Sequence, residues 1–217
     1  MDRTGADLRA YYEQEAVERT RKSPSGQRVA IRDRFTRLLV AEGRTRVVDF
    51  GSGPGGDSTG FSAVGVEYVG IDLAHGNAAL AAEAGVTVIQ GTVDAPPFRD
   101  GSFDAGWSMS TLMHLPEDQV ADALAAMARA LAPGSPLQIG LWGGDRQDVV
   151  MPSKTRTEQR LFSYRPFDRN WDLFAAIGGI EWATRWDIVP GGSENGLQYQ
   201  VFLIRLPAPA PAPGPVR

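Results

Sequence analysis

The run Val47-Val48-Asp49-Phe50-Gly51-Ser52-Gly53-Pro54-Gly55-Gly56 constrains the fold of this chain more than any other stretch. A short apolar segment that breaks into glycines reads as a buried parallel strand turning sharply beneath a ligand. The glycines admit backbone angles that other residues avoid, and they clear side chains from the path of a nucleotide. A second apolar run, Val69-Gly70-Ile71-Asp72, ends in a carboxylate. It lies about 20 residues further on, the spacing at which an acid accepts hydrogen bonds from ribose hydroxyls. Together the two runs imply a cofactor containing adenosine.

The rest of the chain bounds the reading. Its 217 residues, 42% of them hydrophobic, suit one α/β domain with a full core. A net charge of -4 argues against a dedicated nucleic-acid binder, which shows a basic face. The absence of cysteine excludes disulfides and thiolate metal sites, and His75 and His114 are too few for a typical zinc site, so no metal is expected. Residues 1–9 are polar, and no apolar run approaches the ~20 residues that span a membrane. The expectation is a soluble cytoplasmic protein with no membrane partner.

Hydrophobic spacing predicts a helix over 7–21, with Leu8, Tyr11, Tyr12 and Ala16 on its apolar edge. Ser23-Pro24-Ser25-Gly26 breaks it, and a second helix carries Ile31, Phe35, Leu38 and Leu39 and stops at Gly43. Strands over 46–50, 67–72, 86–90, 102–108 and 137–142 alternate with helices beginning near Asp57, over 75–84 and over 117–131. Residues 143–166 show no clean period and read as a long loop of functional or mobile character, in which Arg146, Arg156 and Arg160 form either an anion site or a solvated face. A helix over 167–177 follows, then strands over 180–189 and 197–206, joined closely enough to lie antiparallel. Residues 207–215 alternate Pro and Ala and read as part of an extended, disordered tail over 207–217, whose deletion is expected to leave thermal stability unchanged. The predicted fold is a Rossmann-like, doubly wound α/β sheet of seven strands, mostly parallel, with a C-terminal antiparallel hairpin. It forms one domain over 1–206, capped by helices over 1–43.

The glycine turn alone does not choose the cofactor, because Gly51, Gly53 and Gly56 also satisfy the dinucleotide pattern GxGxxG. Three features favour S-adenosylmethionine. Asp49 places an acid inside an apolar strand, where a buried carboxylate must find donors or become neutral. The chain ends in a hairpin rather than a further βαβ unit. Neither Lys22 nor Lys154 has a tyrosine four residues before it, so the short-chain dehydrogenase pair is absent. A nicotinamide-dependent oxidoreductase and a binding protein without turnover remain the alternatives.

At this point the sequence resembles the class I S-adenosylmethionine-dependent methyltransferases that act on small molecules. Asp49-Phe50-Gly51-Ser52-Gly53-Pro54-Gly55 resembles their first motif, with Ser52 in place of the usual Cys. Gly70-Ile71-Asp72-Leu73 resembles the ribose-binding end of their second strand. The segment 91–98 with Asp100-Gly101-Ser102-Phe103-Asp104 resembles the adenine loop, and Leu112-Met113-His114-Leu115 the stretch after strand four.

The resemblance implies a cofactor site formed by Tyr12, Asp49, Gly51, Ser52, Gly53, Gly55, Asp72, Leu73, Thr92, Val93, Asp94, Ser108 and Met113. Asp49 would reach the cofactor's amino group or hydrogen-bond the glycine turn, and Asp72 would hold the ribose, so that Asp72→Ala weakens binding without unfolding the chain. Thr92 stands where the family often has Asp, and Val93 would offer its amide to the adenine. Tyr11, Trp142 and His114 would line the acceptor site, with His114 as general base or as a packed, loop-capping histidine. Asp94-Ala95-Pro96-Pro97-Phe98 superficially resembles the Pro-Pro-aromatic motif of DNA amino-methyltransferases. It lies before strand four rather than at its end, so no nucleic-acid partner is implied; the acceptor is expected to be a small molecule, methylated at oxygen or nitrogen.

Overall fold

The computed structural model describes residues 3–20, 24–145, 147–152, 159–188 and 196–208. Helix α1 (Arg3–Thr20) is followed by α2 (Gly26–Ala41). The Ser25 hydroxyl caps α2 by accepting from the Arg28 amide at 3.2 Å, and Gly43, at φ 66°, lies just beyond its end. Then come β1 (Arg46–Phe50), α3 (Ser58–Ser62), β2 (Glu67–Asp72), α4 (His75–Glu83), β3 (Val88–Gln90) and β4 (Ala105–Met109). A 3-10 turn (Leu112–His114) leads into α5 (Glu117–Ala130), whose first turn carries Glu117 and Asp118 and whose last carries Arg129, each sign matched to the helix dipole. The chain continues through β5 (Pro136–Gly143), β6 (Gln147–Pro152), β7 (Gln159–Tyr164), α6 (Phe167–Ala175), β8 (Gly179–Asp187) and β9 (Gln198–Arg205).

The main sheet has seven strands in the order β3-β2-β1-β4-β5-β9-β8. Strands β1 to β5 pair in parallel, and β9 runs antiparallel between β5 and β8. This is the seven-stranded, mostly parallel, doubly wound sheet with a C-terminal antiparallel hairpin that the sequence predicts. Side-chain alternation along the strands splits the core into two layers. Val48 and Phe50 pack with Leu124 and Met127 of α5, while Val47 faces Phe35 of α2, Phe61 of α3 and Trp107 of β4.

The structure corrects the reading of residues 143–166. In place of a loop, β6 and β7 pair antiparallel as a separate two-stranded sheet that packs against α1 and the 3-10 turn. Period-two alternation fails there because β7 buries Phe162, Ser163 and Tyr164 in succession, while Val150 of β6 is half exposed. Arg146 and Arg156 lie outside the described residues. Arg160 is not part of a solvated face: its guanidinium lies 4.2 Å over the Tyr11 ring and 5.1 Å over Phe162. Strand four also begins later than expected, at Ala105, with Phe103 making only an isolated bridge to Leu131. The connection at 189–195 and the tail from residue 209 lie outside the described residues. The first tail residue is not idle, since the Pro207 carbonyl accepts from the Gly134 amide at 3.1 Å.

Arg165, just beyond β7, is fully buried and faces no carboxylate among its hydrogen-bond partners. It donates to the Leu112 carbonyl at 2.9 Å and to Asn170 Oδ1 at 3.0 Å, and Asn170 in turn donates to Gln200 Oε1 at 2.8 Å. Burial pulls its pKa down to about 10, with Glu117 and Asp148 too far to compensate fully. Arg165→Ala is expected to cost about 2–3 kcal/mol, because buried acceptors lose their donor. An unchanged urea midpoint would contradict that role.

Candidate functional site

A cleft of about 1080 Å³ opens at the carboxyl ends of β1, β2, β4 and β5, under α1 and beside the start of α2. Its floor is the glycine turn. Gly51 and Gly53 adopt φ 78° and 57°, angles that a side chain resists, and a Cβ on Gly51 would strike Thr111. The turn is tied to β2 by the Gly51 and Ser52 amides, which both donate to the Ile71 carbonyl, at 2.8 and 3.1 Å. Asp72 closes it from the other side. Its Oδ2 accepts from the Gly53 amide at 2.7 Å, and its Oδ1 accepts from the Ala74 amide at 3.0 Å and from Asn77 Nδ2 at 2.9 Å. The carboxylate that faces the cleft therefore also holds the turn, and its replacement disturbs stability as well as binding.

Beneath the turn lies a buried charge network that spacing did not reveal. Asp49 shares the β1 face of Val47 and is 1% exposed; its Oδ2 accepts from the Tyr68 hydroxyl at 2.7 Å, and its Oδ1 has no partner. Burial, reinforced by the charge of Asp57, pushes the Asp49 pKa up to about 7, against the opposing pull of Arg28 and the Tyr68 hydrogen bond. Asp57, fully buried, takes two guanidinium groups and an indole. Its Oδ2 accepts from Arg28 Nε at 2.8 Å, Arg28 Nη2 at 2.6 Å and Trp107 Nε1 at 3.0 Å, and its Oδ1 accepts from Arg32 Nη1 at 3.5 Å. Burial tends to lower the Arg28 pKa, but the charge and hydrogen bonds of Asp57 more than offset it and leave it raised.

The roof is α1, latched at separate points. Glu13 accepts from the His75 and Gly76 amides at the start of α4, both at 2.6 Å, and the Tyr12 hydroxyl meets His114 Nε2 at 2.8 Å. His114 Nδ1 is 2.8 Å from the Leu161 carbonyl, which only accepts, so Nδ1 carries a proton and donates to it, while Nε2 shares a hydrogen bond with the Tyr12 hydroxyl. Both nitrogens are engaged, which fits a histidine that ties α1 to β7 better than a general base.

The predicted site residues divide. Tyr12, Gly51, Ser52, Gly53, Asp72 and Leu73 line the cleft; so do Thr92, Val93 and Asp94 after β3, with His114 and Trp142. Five do not. Asp49 lies beneath the turn, and a Cβ on Gly55 would run into Val86, away from the opening. The Ser108 hydroxyl donates to the Phe50 carbonyl at 2.9 Å, joining β4 to β1, and Met113 packs in the core. Tyr11 packs edge-on against Tyr12 and donates to Glu15 at 3.0 Å. Among the described residues, no group of three His, Asp or Glu side chains is placed to hold a metal. Nor is any helix long and apolar enough to cross a membrane.

Residues 48–139 match the methyltransferase domain family. An uncharacterized methyltransferase of Mycobacterium sp. (strain JLS) is 39% identical across 65% of this chain and 61% of its own length. Over this stretch, from the glycine turn to β5, the chain is similar to methyltransferases. It spans about three fifths of that relative, and 28% of a probable chloroplastic tocopherol O-methyltransferase of Oryza sativa subsp. japonica, which is 36% identical over 44% of this chain. Among solved structures, the Burkholderia thailandensis 1,6-didemethyltoxoflavin-N1-methyltransferase, with 1,6-didemethyltoxoflavin and S-adenosylhomocysteine bound, superimposes with a TM-score of 0.66 at 22% identity. The superposition covers 93% of this chain and 88% of that one. The DhpI–S-adenosylhomocysteine complex gives a TM-score of 0.66 at 18% identity, covering 95% and 98%. At these identities the likeness is one of fold.

The fold also brings to the cleft residues that no sequence motif marks: Arg28, Ser110, Trp186 and Tyr199. Ser110 was findable only by its position just past β4. The other three come from segments without a motif, and tertiary folding alone assembles them.

Proposed function

We propose that this chain transfers a methyl group from S-adenosylmethionine to a small-molecule acceptor, at oxygen or nitrogen, by in-line displacement. The observation that carries the reading is Asp72, a buried carboxylate that lines the cleft beside the positive-φ glycine turn. Its oxygens offer about four lone pairs. Three take protein donors, leaving one for a ribose hydroxyl. The unpartnered Oδ1 of Asp49 supports the same reading, since a buried acid below the turn favours a cation above it.

In this assignment Gly51, Ser52 and Gly53 form the cradle under the methionine and ribose portions, with Asp72 and Leu73 at the ribose. Thr92, Val93 and Asp94 flank the adenine. Gly55, Ser108 and Met113 support the turn from behind. Tyr12 covers the cofactor, its hydroxyl oriented by His114, while Trp142 faces the acceptor and Tyr11 braces Tyr12. When bound, S-adenosylmethionine supplies a methyl group already activated on a sulfonium. The residues around it need to hold a nucleophile in line within about 3–3.5 Å, shielded from water, which provides much of the acceleration without a strong base. Acceptor methylation in small-molecule biosynthesis is the accompanying proposal, supported by the likeness of fold to the 1,6-didemethyltoxoflavin-N1-methyltransferase, which holds 1,6-didemethyltoxoflavin.

Calorimetric titration with S-adenosylmethionine, S-adenosylhomocysteine and NADH tests the reading. The two sulfur nucleotides are expected to bind and NADH is not. Asp72→Asn is expected to weaken S-adenosylhomocysteine about 10- to 100-fold, the worth of one charge-assisted hydrogen bond. Binding of NADH alone would turn the site into a dinucleotide site, and wild-type affinity in the Asn variant would remove Asp72 from it.

A further inference from the structure

The cleft is larger than one ligand of ordinary size requires, since such pockets run to about 300–1,000 Å³, and its walls differ in chemistry from end to end. The end beyond the glycine turn is aromatic and apolar. Trp186 and Tyr199, a cross-strand pair on β8 and β9, lie with ring centroids 5.2 Å apart and planes 32° apart, and Ile31 and Met109 line the same cleft. Two polar groups break this surface. One is Ser110, which sits at φ 62°, the one non-glycine residue with positive φ among those described, its hydroxyl 3.1 Å from that of Tyr199. A non-glycine residue in this region is uncommon, and such residues cluster at functional sites. The other is Arg28. Its Nε and Nη2 are committed to Asp57, while Nη1 has no hydrogen-bond partner among the described residues, and the side chain is 29% exposed. Arg28 lines the same cleft as the glycine turn, Trp186 and Tyr199. Asp57 is shared between Arg28 and Arg32, and Arg32 has a second carboxylate partner in Asp33, so Arg28 is the cation of this network that lines the cleft. The one acid on this side, Asp187, is exposed at the rim, where solvent screens it.

The geometry points to an acceptor that is a planar aromatic carboxylate, its ring against Trp186 and Tyr199 and its carboxylate on Arg28 Nη1. The assignment rests on the methyl-transfer reading for the ligand's role as acceptor, but its chemistry is tested independently. An aromatic ring gains from an offset or edge contact with the Trp–Tyr pair beyond its buried area, and a guanidinium with a spare N–H edge selects a carboxylate over a neutral amide. The Ser110 and Tyr199 hydroxyls then meet a further ring substituent.

The test titrates benzoate, 2-naphthoate and 2-naphthamide into the protein with and without saturating S-adenosylhomocysteine. The naphthoate is expected to bind at least 10-fold more tightly than the amide, the lower bound of a charge-assisted hydrogen bond. Trp186→Leu, which keeps an apolar side chain on β8, is expected to weaken it about 2- to 10-fold. Equal binding of carboxylate and amide overturns the anion anchor, and undiminished binding to the Leu variant overturns the aromatic wall. Failure of both benzoate and 2-naphthoate to bind overturns the whole assignment. If S-adenosylhomocysteine itself does not bind, the methyl-transfer reading falls, and the titrations without it still decide the chemistry of the compartment.

Discussion

Asp57→Ala is expected to lower the free energy of unfolding by about 3–5 kcal/mol, the cost of removing one partner from a buried ion pair. Against the roughly 5–15 kcal/mol that stabilises a typical domain, that is enough to leave a sizeable unfolded fraction. The deletion strands three donors at once: Arg28, Arg32 and the Trp107 indole all point at this carboxylate. Arg32 has little recourse to water, its side chain being 12% exposed, and its Nε is already without a partner. Arg28, on the cleft wall, relaxes more easily. Asp57→Asn keeps an acceptor oxygen but removes the charge, and its loss is expected to fall between the two. Urea denaturation of the three proteins gives the order directly; a loss below about 1 kcal/mol for the Ala variant would mean that water reaches both guanidinium groups.

The second large effect concerns pH. Asp49 has its pKa raised from 3.8 to about 7 in the folded protein, chiefly by burial. Below 3.8 both folded and unfolded chains hold this proton, and the group does not bias folding. Between that point and about 7 the unfolded chain releases the proton while the folded chain keeps it, so the contribution of Asp49 to stability falls as pH rises. Above about 7 it is constant. At about 1.36 kcal/mol per pH unit the total fall is roughly 4 kcal/mol. Other carboxylates work the opposite way: Glu42, held down by its hydrogen bond to Arg205, gains stability as pH rises. The measurement is therefore the difference between wild type and Asp49→Asn, followed by denaturant midpoints from pH 4 to 8. The two curves are expected to diverge across that range, with the wild type losing ground. Parallel curves would show that Asp49 titrates as an ordinary acid. If a cofactor ammonium lies above it, saturating S-adenosylhomocysteine is expected to flatten the difference.

The sheet order, the glycine turn and the acid at the tip of β2 were legible because each leaves a local mark: an apolar run, a break into glycine, a carboxylate at fixed spacing. What escaped the sequence depends on contacts without such a mark. The β6–β7 hairpin is buried on both faces of β7, and two-sided burial erases the alternation that identifies a strand. Arg165 is charged and reads as exposed, yet it is held inside by two carbonyls and an amide from distant segments. Arg28 and Asp57 are 29 residues apart and share no motif, so only the packing of α2 over α3 brings them together. His114 was visible as a candidate, but its role depends on a tyrosine from α1 and a carbonyl from β7 that the sequence does not place beside it.

The position of β9 has a consequence for how the chain is made. The last strand of the sheet in sequence is not at the rim but between β5 and β8, and β8 pairs with no other strand among the described residues. As synthesis proceeds from the N-terminus, the parallel half of the sheet can assemble while β5 still presents an open edge of backbone donors and acceptors. Leu137, Ile139 and Leu141 stand along that edge, and all three are fully buried once the sheet is complete. A nascent chain halted before residues 198–205 leave the ribosome thus offers a sticky, unpaired strand to its neighbours.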